Sequence, residues 1–185
     1  MSDDFALNTS LKDPSIKAGE VEMLLFALDR SRAQFAWKCG GLDAAGLNKP
    51  HPPTTMTLGG LLKHMALVDD WTTVRLTGQP MVAPWTTVDW EADPDWPWHS
   101  SADDAPEELY RLWREAAERS RAAVTALIAN GGLDQPAKLG LESGETPNVR
   151  RLLVDLHDEY ARHVGHADLL REAVDGLVGE DPPQS

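Results

Sequence analysis

Between Asp155 and Glu172 the chain reads DLHDEYARHVGHADLLRE, a run without proline and with Gly165 as its only glycine. Apolar side chains recur through and beyond it at Leu152, Leu156, Tyr160, Val164, Ala167, Leu170 and Val174. Steps of three and four residues are the period of a helix, so this run must bury one stripe against other elements. On a helix turning about 100° per residue, Asp155, Glu159, His163 and His166 project along one edge of that stripe. His157 points to the opposite flank or to solvent. A carboxylate and an imidazole four residues apart, both leaning towards a core, point to a metal site, because a buried Glu needs a cation or a donor. One helix cannot close such a site alone.

Three further segments carry the same period. Ala18 to Lys38 holds Val21, Leu24, Leu25, Leu28 and Phe35, and Gly40 and Gly41 end it. Thr57 caps a second helix that runs to about Thr77 and stops at Gly78 and Pro80. Its stripe is Leu58, Leu61, Met65, Val68 and Val74, and His64, Trp71 and Arg75 fall on one edge of it. Asp104, Pro106 and Glu107 suit the start of a third helix, with one carboxylate at the cap and another at the third helical position. That helix runs to about Ala129. Thr146 and Pro147 open the last helix, which ends near Gly176.

No run alternates as a strand does, and the expected architecture is all-α, an antiparallel four-helix bundle. Residues 1–185 form one domain, with an N-terminal arm over 1–16 and a flexible tail over 177–185. The connection 78–104 between helices two and three is long enough to cross the bundle, so an up-down order does not follow. Trp85, Trp90, Trp96 and Trp98 alternate there with prolines and acids. Such a loop is either a lid or binding wall, or packing laid over one end of the bundle.

Composition excludes several classes. A formal net charge of −13 opposes a nucleic-acid backbone or an anionic membrane as partner. No window approaches the roughly 18 apolar residues of a membrane span. The opening MSDDFALNTSLKD lacks a basic-then-apolar leader pattern, so the cytoplasm is the expected location. Cys39 is the only cysteine, which rules out an intramolecular disulfide and a thiolate-rich zinc site, and its expected role is a small buried hydrophobe. His51, among prolines, is expected to be exposed, and His99 is not expected to reach a site.

The candidate ligands are therefore His64, Glu159 and His163. Two imidazoles and a carboxylate suit a divalent cation with positions left open. Zinc is the first choice, and nickel, iron(II) or manganese accept the same donors. Asp155 and His166 lie one turn away as supporting contacts, and Trp71 and Arg75 face the same region. The competing reading is that Glu159 pairs with a base such as Arg75 and that His163 is simply core.

TLGGLLKHMALVDDW (Thr57 to Trp71) together with EYARHVGHADLLREAVDG (Glu159 to Gly176) resembles the DinB/YfiT-like superfamily. The closer likeness is to the branch with a histidine on helix two and Glu-x-x-x-His on the last helix, as in mycothiol-dependent maleylpyruvate isomerase. The resemblance implies a four-helix bundle holding one divalent metal, with His64, Glu159 and His163 at the ligand positions. It also implies action on a low-molecular-weight thiol such as mycothiol or bacillithiol. Where that pattern leads one to expect a histidine near position 155, this chain has Asp155.

The leading expectation is a metal-dependent thiol S-transferase joining a small thiol to an electrophile. A metal-dependent hydrolase is the enzymatic alternative. A non-catalytic, metal-binding homodimeric bundle is the third, and a homodimer is the expected assembly.

Overall fold

The computed structural model describes residues 7–140 and 144–184. Its helices are α1 (Glu20–Cys39), α2 (Ala44–Leu47), α3 (Leu58–Thr77), α4 (Trp96–Ser100), α5 (Pro106–Gly131) and α6 (Val149–Asp175). The four long ones form the bundle expected from the periodicity, and no strand occurs among the described residues, only bridges at His51–Thr54 and Pro136–Asn148. No described helix is long and apolar enough to cross a membrane.

Side-chain contacts at the helix ends set the directions. Arg150 at the start of α6 pairs with Glu20 at the start of α1 (3.0 Å), and Arg171 donates to the Lys38 and Gly40 carbonyls at the end of α1 (3.1 and 2.7 Å). These two helices therefore run parallel. Lys63 early in α3 meets Asp104 just before α5 (2.5 Å), and Asp70 further on meets Arg119 (2.9 Å), so α3 and α5 are parallel as well. Between the pairs the sense reverses: His64 lies beside His163, while Thr72 and Arg75 face Leu152 and Asp155. The bundle is thus two parallel pairs packed antiparallel, not a fully antiparallel set. A parallel neighbour requires a return crossing. With α3 at 20 residues, or about 30 Å, the long tryptophan-bearing segment supplies it.

Local chemistry corrects two expected helix starts. Asp104 does not cap α5, because its carboxylate is taken by Lys63; Ala105 occupies the cap with no side-chain bond. Helix α6 starts at Val149, after Thr146 and Pro147, because the Asn148 side chain accepts from the Arg151 N–H at 2.9 Å. The expected Thr57 cap is present, accepting from the Gly60 N–H at 3.0 Å. In the tail, Asp181 accepts from Arg30 and from the Gln34 amide (2.5 and 2.8 Å), and Gln184 accepts from the Leu11 N–H of the arm (2.9 Å).

The core is continuous and apolar from Leu28 and Phe35 through Leu61, Met65, Leu109, Trp113, Leu153 and Leu156. Cys39 is fully buried there, and burial pushes its thiol pKa up, so it is the small hydrophobe expected. At its centre each long helix contributes one polar side chain to a cluster around Asp69, which is 0 % exposed. Asp69 accepts from Arg32, Ser120 and the Tyr160 hydroxyl, each at 2.5 Å, and Trp113 Nε1 donates to the Tyr160 oxygen at 2.9 Å. Burial acts to lower the Arg32 pKa, but Asp69 outweighs it and the guanidinium stays charged. Burial, together with Asp69, raises Tyr160 well above an ordinary phenol and keeps it a donor.

Candidate metal centre

His64 stands on the edge of α3 that faces α6, and the indole packed on it depends on Gly60. A Cβ on Gly60 would lie 2.9 Å from Cε3 of Trp98, so only glycine lets that indole cross the start of α3. Trp98 then stacks on the His64 imidazole, with centroids 4.7 Å apart and planes at 24°. From α6, Glu159 and His163 reach the same point because four residues make just over one turn.

The three side chains converge. His163 Nε2 is 3.4 Å and His64 Nε2 is 3.9 Å from the same Glu159 oxygen, Oε2. One donor atom from each lies within 4.8 Å of the others. These separations exceed a good hydrogen bond of about 2.7–3.2 Å. The shorter of the two matches the edge of a tetrahedron around an ion with bonds near 2.1 Å, which is about 3.4 Å, and the longer exceeds it by about half an ångström. Burial lowers the His64 pKa to about 4, opposed by Asp95. Burial lowers that of His163 to about 4 as well, with the His64 ring adding to the effect and Glu159 opposing it. Both imidazoles are neutral at pH 7 and offer lone pairs. A carboxylate and two neutral imidazoles, with nothing cationic between them, fit a divalent cation.

Around this trio the other expected residues separate. His166 belongs to it: its Nδ1 is 3.2 Å from His163 Nδ1. With His163 Nε2 turned to Glu159, that contact orients the ring from behind. Asp155 does not belong to the trio. It is bound by Arg151 at 2.7 Å, because Arg151 precedes it by one turn on a half-exposed face. Among the described residues the alternative pairing of Glu159 with Arg75 is absent; the arginine beside Glu159 is Arg162, at 3.6 Å. Trp71, 46 % exposed, and Arg75 line a cavity of about 500 Å³ that opens from His64 and Glu159 along the α3–α6 seam.

The tryptophan segment packs its indoles in two places. Trp85 is buried with its Nε1 on Asp70 (2.8 Å), and Trp96 stands edge-on to both Trp85 and Trp90. Lys63 Nζ sits 3.9 Å from the Trp96 ring centroid. Those three rings close one end of the core. Trp98 alone forms a wall of the candidate centre. His99 pairs with Asp93 at 3.0 Å on the surface, and His51 lies in its own short bridge, so neither approaches the centre.

A helical bundle with His on one helix and Glu-x-x-x-His on another is consistent with the DinB/YfiT-like class that the sequence resembles. The mycothiol-S-transferase family model matches residues 23–176, and the chain belongs to that family. No curated protein and no solved structure matches it.

Proposed function

We propose that this chain is a divalent-metal-dependent thiol S-transferase that uses mycothiol or a similar small thiol. The observation that carries the proposal is the convergence of His64, Glu159 and His163, with His64 and Glu159 lining the α3–α6 cavity, in a chain of the mycothiol S-transferase family. A divalent cation held by these three, with zinc the first choice, supplies the positive charge that lowers a thiol's pKa towards neutrality. The protein's own part is positional. Trp98 fixes the plane of His64, and His166 fixes that of His163, so the donors require little rearrangement. Trp71, Leu67 and Val68 give the cavity an apolar wall on which an electrophile can rest.

The test is elemental analysis of the purified protein beside His64→Ala and Glu159→Ala, followed by thiol-consumption assays with mycothiol and a panel of electrophiles. The expected result is close to one metal per chain in the wild type, lost in both folded variants, with thiol-dependent turnover that disappears alongside it. Metal retained in both variants overturns the ligand assignment. Turnover that needs no thiol replaces transfer with metal-assisted hydrolysis.

A further inference from the structure

Arg75 stands out in an acidic chain with 30 carboxylate residues against 17 lysines and arginines. Every other arginine except the exposed Arg114 pairs with an acid: Arg30, Arg32, Arg111, Arg119, Arg121, Arg150, Arg151, Arg162 and Arg171. Arg75 is half-buried and has no ion pair among the described residues. It has acids in its own cavity, yet those are already engaged. Asp155 is held by Arg151, and Asp158 and Glu159 lie near Arg162 at 3.7 and 3.6 Å. Among the described residues, Arg75 is the one lysine or arginine lining this cavity. Its backbone is pinned, since its carbonyl accepts from the Lys138 and Leu139 N–H groups at 3.0 and 3.1 Å.

The placement also has a length. His64, Trp71 and Arg75 share one face of α3, and the eleven residues from His64 to Arg75 span about 16 Å along the axis. Trp71 lies between the two ends. A guanidinium at one end, an indole in the middle and the His64–Glu159–His163 cluster at the other make a slot for an elongated molecule, anionic at one end and apolar along its body. A planar, forked donor of this kind is matched by a carboxylate.

We propose that Arg75 binds the carboxylate of an elongated, partly apolar organic acid, which is the electrophilic substrate class of this protein. This rests on the reading of the cavity as the substrate side of the candidate centre. The test uses binding, so that it stands apart from turnover. 4-Phenylbutyrate and its uncharged analogue 4-phenylbutyramide are titrated calorimetrically into zinc-loaded and into chelator-treated protein. The wild type is expected to bind the acid at least about tenfold tighter than the amide in both states, the worth of one charge-assisted contact. Arg75→Met should abolish that preference and leave amide binding within about twofold, and Arg75→Lys should keep part of it. Should Arg75→Met not fold by circular dichroism, Arg75→Gln takes its place. Equal affinities for acid and amide in the wild type, including no binding of either, overturn the proposal. So does a preference that survives removal of the guanidinium. A preference that vanishes with the metal places the carboxylate at His64, Glu159 and His163 and also overturns it. An acid preference carried by Arg75 in a protein with no thiol turnover upholds this site and removes only the transferase reading.

Discussion

Helices α3 and α6 carry two polar clusters a short way apart, and the two are built on opposite rules. Around Asp69, donors meet acceptors: Arg32, Ser120 and Tyr160 all point hydrogens at one carboxylate, and the cluster is charge-compensated. Around Glu159, two neutral imidazoles, each with one lone pair to offer, and a carboxylate face one another at distances too long for good hydrogen bonds. The first cluster is closed by protein alone and sits fully buried. The second opens onto a cavity. A buried polar group must find a partner, so a cluster complete in itself is structural, and one that collects lone pairs calls for something from outside. Neighbouring residues on one helix, Glu159 and Tyr160, fall on either side of that line.

The largest expected effect breaks the closed cluster. Asp69→Ala leaves Arg32 charged and buried without its counter-ion, which costs about 3–5 kcal/mol. Urea unfolding of the metal-free protein should show that loss directly. An effect below 1 kcal/mol would mean that the cluster is not what holds the four helices together. The contrasting change is His64→Ala or Glu159→Ala. Each should cost the metal-free protein only about 1 kcal/mol, while weakening metal binding by about 100-fold or more. The comparison therefore predicts a crossing pattern, with stability lost at Asp69 and metal lost at His64 and Glu159. Two variants with the same profile would erase the distinction.

Acidity sharpens it next. In the metal-free protein His64 and His163 have folded pKa values near 4, below the ordinary 6.5 that they regain on unfolding. Between these values the unfolded chain binds more protons than the folded one, so stability rises with pH across that window. Falling pH should therefore cost up to about 1.4 kcal/mol per pH unit per histidine between pH 6.5 and 4. Urea titrations at several pH values read this slope, and a His64→Ala, His163→Ala double variant should flatten it. An unchanged slope in that variant assigns the acid sensitivity to other groups.

Much of this was open to reading from periodicity. Glu159 and His163 are one turn apart on a stripe edge, and His64 sits on the matching edge of α3, so the trio followed from helical geometry. The Asp69 cluster also left a trace that residue-type counting passes over. Arg32 lies four residues after Leu28, Asp69 after Met65, Ser120 after Ala116 and Tyr160 after Leu156, so each polar residue stands where its helix's apolar stripe continues. Four such interruptions in four helices signal a shared interior. Trp98 was not separable from Trp85, Trp90 and Trp96, because its place depends on how the return crossing lies across α3. The pairing of Asp155 with Arg151 was a local competition within one helix that the metal reading did not weigh. Helix direction likewise depends on long-range contacts, and only the length of the 78–104 segment pointed to it.

The smallest predicted effect comes from Gly60, which makes room for the indole beside His64. A methyl group there would sit 2.9 Å from the Trp98 ring, and the ring is wedged between α3 and His64 with no flexible end to yield. Gly60→Ala gains helix propensity worth about 1 kcal/mol and loses a comparable amount to overpacking, so its net stability change should be within about 1 kcal/mol. Its consequence should appear instead at the candidate centre, since the displaced indole no longer sets the plane of His64. Metal affinity, measured by competition with a chromogenic chelator, should fall several-fold while urea unfolding hardly moves. Trp98→Leu should reproduce the affinity loss without the crowding. If both variants bind metal as the wild type does, Trp98 merely covers His64, and the orientation of that ring comes from α3 alone.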